Sequence, residues 1–212
     1  QLNAPAVQAA EILHLRFFLQ LKHLQALQRL RQQGMTGERA KRRSKRQSLA
    51  GLPANWRIDL CKRAVGGRYL FSLIVLALTG CRPSELVHGI DIWRGKDEVT
   101  GKLLIHLRIR GAKVKDSQGQ PLRTISYDTN DPHPLVVVVN ELLDTQSEPR
   151  VFAQVRSAVN LTVEIRRLAR SLWPKHKQPI TAYCFRHQFA ADLKANGDDE
   201  ATSRGLGHIS AE

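Results

Sequence analysis

The stretch "RYLFSLIVLALTGCRPSEL", Arg68 to Leu86, decides how the chain folds. Its first part, Arg68 to Leu78, is apolar on nearly every side yet too short to cross a bilayer, so it predicts a central helix buried all round. Gly80 is suited to end that helix. A second helix then starts, with Pro83 at its first position and Glu85 at its third. That leaves Arg82 where a Ser, Thr, Asp or Asn would normally cap. A guanidinium has no acceptor for the free N–H groups and adds positive charge to the helix end that is already positive. Two readings follow. Either an anion, most simply a phosphate, is drawn to this place, or Arg82 is a surface residue paired with Glu85.

Outward from this stretch the pattern is helical with one interruption. "IDIW" and then "LLIHLRIR", Leu103 to Arg110, alternate as strands do, with Ile105, Leu107 and Ile109 on one face and His106, Arg108 and Arg110 on the other. "GAKVKDSQGQP" reads as a turn and "LRTISY" as the returning strand of a hairpin. In "HPLVVVVNELL", His133 to Leu143, the valines favour a strand, but Pro134 and the following "NELLD" tip the reading to a helix. "AVNLTVEIRRLARSLW" is expected to be amphipathic, with Val159, Val163, Leu168 and Leu172 among its core positions. "AYCFRHQFAADLKANG" gives another helix from about Tyr183 to Gly197, with Phe185, Phe189 and Leu193 at four-residue steps. "DDEATSRGLGHISAE" reads as a short helix capped by Asp198, a glycine turn at Gly205 and Gly207, and the start of one more helix.

On the N-terminal side, Ile12, Leu15, Leu19, Leu24, Leu27 and Leu30 approximate a helical stripe between Val7 and Gln33, closed by Gly34. "RAKRRSKRQS", Arg39 to Ser48, is nearly all cationic or small and reads as a linker or arm. "GLPANW", Gly51 to Trp56, marks a boundary. The expected class is therefore α+β, mainly α with a small antiparallel β-sheet, divided into residues 1–50 and 51–212.

The composition, 42% hydrophobic and 25% charged over 212 residues, is that of a globular chain able to bury a core. A formal net charge of +14 makes the expected partner a polyanion, most simply nucleic acid. No apolar segment has membrane-spanning length and the start lacks a signal-peptide pattern, so no membrane partner and a cytoplasmic location are expected. Cys61, Cys81 and Cys184 are widely spaced and odd in number, which suggests neither a disulfide framework nor a paired zinc motif. No metal and no cofactor are expected. The first residue, Gln1, and the ending "GHISAE" lead us to expect further terminal residues.

"TGCRPSEL", "GAKVK" on a hairpin turn, "YCFRH" opening a helix and "GLGH" near the end follow one another in an order that resembles the catalytic domain of tyrosine recombinases, the family of phage and mobile-element integrases. The resemblance covers about residues 51–212. It implies a tyrosine recombinase catalytic-domain fold, with residues 1–50 ending or joining a DNA core-binding domain. By the resemblance, Arg82 and Arg186 are the two catalytic arginines, Lys113 protonates the leaving 5′ oxygen, and His208 contacts the scissile phosphate. Glu85 and His187 support them. Tyr183 stands where most members have histidine, and a phenol does not titrate near neutral pH as imidazole does. Lys115 competes with Lys113 for the lysine role or binds backbone phosphate. Arg39, Lys41, Arg42, Arg43, Lys45 and Arg46 are expected to contact DNA.

The family's nucleophile is a tyrosine two to three helical turns beyond the histidine. Tyr69, Tyr127 and Tyr183 are not so placed, so the attacking residue is expected in sequence following Glu212. The implied partners are double-stranded DNA and other copies of the chain, tetrameric on DNA and monomeric alone, in a bacterial cytoplasm at the nucleoid. The alternatives are a DNA-binding relative without a nucleophile, a topoisomerase-like enzyme that nicks and reseals one duplex, and, less favoured, a general basic RNA-binding protein.

Overall fold

The computed structural model describes residues 4–33, 45–98, 100–112, 119–195 and 205–206, and the chain separates into two compact units, Gln1–Arg43 and Ser44–Glu212. The first unit contains helix α1, Ala4–Gln33. Its apolar residues do not form one buried stripe. Ile12, Leu15, Leu19, Leu24 and Leu27 are all exposed, and so are Leu13, Phe17 and Phe18 on other sides of the helix.

The second unit opens with a 3-10 turn, Lys45–Ser48. The basic run is thus not linker throughout: Ser48 is buried, and its carbonyl accepts a 3.0 Å hydrogen bond from His176 Nε2. The two compact units divide between Arg43 and Ser44. Helices α2, Trp56–Arg63, α3, Leu70–Thr79, and α4, Pro83–His88, follow. Strands β1, Ile90–Lys96, β2, Leu103–Arg110, and β3, Leu122–Asp128, come next, then helix α5, Pro134–Asp144, strand β4, Arg150–Ala153, and helices α6, Ala158–Leu172, and α7, Ala182–Ala195.

The class is α+β. The four strands are ordered β3-β2-β1-β4 with antiparallel neighbours. Ile105, Leu107 and Ile109 face the core, as their alternation predicts, joined by Ile90 and Ile92 of β1. The reading of α5 as a helix holds as well. Strand β4 went unread: four residues are too few to show a period of two, and it is defined by pairing with β1, Ile90 opposite Ala153.

The apolar run forms the centre as expected, α3 being buried from Ser72 to Thr79. One correction concerns α6. Val159 and Val163 are exposed, whereas Leu161, Ile165 and Leu168 are buried. The latter continue to the partly buried Leu172 at steps of four, three and four. Two apolar pairs lie on this helix, and the longer stripe faces the core.

Helix α7 meets the end of α3 closely. Gly80 caps α3 with φ 55°, and a Cβ added there would lie 2.7 Å from Phe189 Cβ. Arg57 of α2 fastens the same region, donating to Ala77 O at 3.2 Å and pairing with Asp192 of α7 at 2.6 Å. Tyr127 from β3 donates its hydroxyl to Leu78 O, so the sheet is also tied to this helix end.

Gly80→Ala is therefore expected to destabilise the second unit by about 2–4 kcal/mol, combining left-handed strain with overpacking. Gly66 also has positive φ, 78°, but nothing lies within 4 Å of its added Cβ, so Gly66→Ala should cost only the strain, about 1–2 kcal/mol. Urea unfolding of the two variants separates the terms.

Candidate active site

Arg82 is the N-cap of α4, in extended backbone conformation with φ −71° and ψ 146°, and Pro83 and Glu85 hold the helix positions the sequence predicts. Half of a capping box forms. Glu85 Oε2 accepts from the Arg82 backbone N–H at 2.7 Å; the guanidinium, having no acceptor, cannot return the bond. It instead donates through Nη1 to Glu85 Oε1 at 2.9 Å. The pair foreseen as a surface contact is in fact deep: Glu85 has no solvent exposure and the Arg82 side chain is 15% exposed.

The second arm holding Glu85 comes from β3. Arg123, itself 6% exposed, clasps the carboxylate with both terminal nitrogens, Nη1 to Oε1 at 3.1 Å and Nη2 to Oε2 at 2.7 Å. Its Nε donates to Gly205 O at 3.0 Å. Burial alone pushes the Glu85 carboxyl up, but the hydrogen bonds and charge of Arg123, reinforced by Arg82, outweigh it and leave the group below its ordinary range. Arg123 belongs to none of the four motifs. Its signal lies in strand parity: in "LRTISY" it shares a face with Ile125 and Tyr127, both packed against the core. An arginine on an inward face calls for a buried acid.

Arg186 projects from the first turns of α7. Its Nη1 donates to Gly80 O at 3.1 Å and its Nη2 to Leu206 O. It thus reaches the carbonyl two residues before Arg82. Burial lowers its pKa first, the neighbouring Arg82 charge adds to that, and Arg123 contributes further; Glu85 offsets part, and the value is about 10. Arg186 remains charged at neutral pH. Arg82, Arg123 and Arg186 together outnumber Glu85, so the site carries excess positive charge of the kind that anions relieve.

Among the described residues Arg82 engages a protein partner through Nη1 alone, so its remaining guanidinium edge can serve a phosphate oxygen. Between Gly80 and Arg82 lies Cys81, fully buried, its thiol pushed up to about 12 chiefly by that burial.

Tyr183 stands one turn before Arg186 on α7, 42% exposed and with no hydrogen-bond partner among the described residues. His187, next to Arg186, is exposed. Lys113, Lys115 and His208 lie outside the described residues, as do Arg39, Lys41, Arg42 and Arg43; Lys45 and Arg46 open the 3-10 turn. Cys61, Cys81 and Cys184 are free and buried. Among the described residues, no group of three or more His, Cys, Asp or Glu side chains is arranged to hold a metal ion, and no helix is long and apolar enough to cross a membrane.

Neither a protein-family model nor a curated protein matches the chain. The solved structure of the XerH site-specific recombinase bound to its difH substrate, a pre-cleavage complex, is similar over 75% of this chain and 47% of that one, with 15% sequence identity and a TM-score of 0.46. The chain spans about half the length of that recombinase.

Removing Arg123 strands a buried carboxylate, so Arg123→Met is expected to cost about 3–5 kcal/mol at neutral pH. In the wild type the depressed folded pKa means that Glu85 stabilises fully above its unfolded value, about 4.3, and loses that contribution as pH falls through the lower folded value. In the variant the carboxyl keeps only its bonds from Arg82, and protonation relieves the charge that Arg123 no longer balances. Urea midpoints of the two should therefore converge as the pH is lowered towards about 3, well below the unfolded glutamate value.

Proposed function

We propose that this chain belongs to the tyrosine recombinases and carries out site-specific strand exchange on double-stranded DNA through a 3′-phosphotyrosyl intermediate. The observation that carries the reading is the approach of Arg186 to the capping Arg82 across Gly80, where the neighbouring arginines leave positive charge to spare. The motif order around these two residues supports it independently.

In the reaction, the tyrosine oxygen bonds to phosphorus and the bond to the 5′ oxygen breaks. Negative charge grows on the non-bridging oxygens, and Arg82 and Arg186 meet it with permanently charged, forked donors. By analogy with oxyanion holes, each is worth about 3–4 kcal/mol in the transition state. Lys113 protonates the leaving 5′ oxygen, since a lysine desolvated against DNA has its pKa lowered towards that task. Lys115 grips the backbone beside it. His208 contacts the scissile phosphate, and Tyr183 offers its hydroxyl as a hydrogen-bonding group near Arg186, with His187 in support. The phosphotyrosyl ester conserves the bond energy, so rejoining needs no ATP.

The nucleophile is a tyrosine following Glu212. Tyr127 cannot serve, because its hydroxyl is committed to Leu78 O within the core. Exchange of four strands requires four such sites, hence a tetramer on DNA. Residues 1–50 belong to, or lead from, a DNA-clamping domain, and the cations from Arg39 to Arg46 bind phosphates as the chain passes the duplex.

Two measurements check this. On a nicked duplex that traps cleaved product, the chain extended through its following residues should form a covalent DNA adduct. Arg186→Ala should lower the rate of adduct formation by about 10²–10³-fold, the effect of losing one transition-state donor, while duplex affinity changes little; full-rate adduct formation by the variant contradicts the assignment. Separately, replacing all six cations of the Arg39–Arg46 run with glutamine should reduce the slope of log affinity against log salt by up to about 5. An unchanged slope removes the run from the contact surface.

A further inference from the structure

A second basic site lies at the C-terminal end of α6. Arg166, Arg170 and Trp173 fall at successive helical steps on one face of α6 and its C-cap. The chain then turns back, His176 N donating to Trp173 O at 3.0 Å, and brings Lys177 to the same place. These five side chains line a cleft of about 260 Å³ whose floor includes the buried Ile180. No carboxylate lines it.

The charge here is uncompensated in a way that the same helix avoids one residue away. Arg167 is paired with Glu164 at 2.7 Å. Arg166, Arg170 and Lys177 have no ion pair among the described residues. Arg166 and Arg170 are four residues apart, a spacing at which like charges repel on a helix. Complementing the negative helix C-terminus accounts for one cation near the last turn. It does not account for a cluster folded around an indole.

His176 is fixed in this wall by its Nε2–H, which donates to Ser48 O. Trp173 is partly buried against the core, so its ring is held while one part remains open to the cleft. Forked cations beside a fixed aromatic face are the chemistry that recognises a nucleotide, phosphate on the arginines and base on the ring. A base can stack on Trp173 only when it has left its pair, so the arrangement favours an unpaired nucleotide over a duplex.

We infer that the Arg166–Arg170–Trp173–Lys177 cleft binds an unpaired nucleotide, its phosphate held by the cations and its base stacked on Trp173. The unit comes from a single strand or from a free nucleotide. The inference is independent of strand cleavage, and a chain that forms no covalent adduct must still show it.

The test follows tryptophan fluorescence as the chain is titrated with an oligothymidylate, with dTMP, with a duplex of matched length and with a glutamate-rich peptide. Single-stranded DNA should quench the emission, and Trp173→Phe, which keeps an apolar ring in place, should remove the quench. Arg166→Gln with Arg170→Gln, both on exposed positions, should weaken oligothymidylate binding about tenfold or more. The same double variant should reduce its salt slope by roughly 1.4, about 0.7 per cation. Quenching by dTMP that competes with the oligonucleotide identifies a free nucleotide as the source; quenching by the oligonucleotide alone identifies a strand. The inference is overturned if the variants leave affinity and quench unchanged, if the duplex quenches Trp173 as well as the single strand, or if the acidic peptide binds as tightly.

Discussion

A carboxylate with no exposure to water, Glu85, organises the centre of the second unit. An isolated charge so placed would cost several kcal/mol, and pairing in a dry interior often does no more than offset that cost. Its value is therefore in specifying an arrangement. Glu85 receives the Arg82 backbone, the Arg82 guanidinium and both terminal nitrogens of Arg123. Through it a helix start and a sheet strand are fixed to each other, and Arg82 is turned to one orientation.

Arg186 arrives by a second route that depends on shape rather than charge. The absent side chain of Gly80 lets Phe189 sit where a Cβ would clash, which draws α7 against the end of α3. The Gly80 carbonyl then takes a hydrogen bond from Arg186. The Arg57–Asp192 pair and the edge contact of Trp56 with Phe185 hold the same face of the helix. Carboxylate and glycine thus each position one arginine, and both belong to the stretch that runs from the central helix into α4.

Much of this was legible beforehand because it is local. Gly80 as a left-handed stop, Arg82 in place of a cap, Glu85 at the third helical position and the β2–β3 hairpin all follow from neighbours in sequence. What escaped was set at a distance. Arg123 has meaning only through Glu85, and β4 only through its pairing with β1. On α6 the pair Val159 and Val163 competes with Leu161 and Ile165, and the buried face is the one whose apolar stripe runs on through Leu168 to Leu172. The basic run looked solvated from composition alone, yet its last residue is buried under a bond from His176.

Cys81 sits between the two backbone positions that define the arginine pair, and burial pushes its thiol well above the ordinary cysteine range. Oxidants and disulfide exchangers attack thiolates, and access is their second requirement. Neither condition is met beside Arg82. The Cys81 sulfur is thus held as a buried thiol beside the arginine pair, out of reach of oxidants and disulfide exchangers.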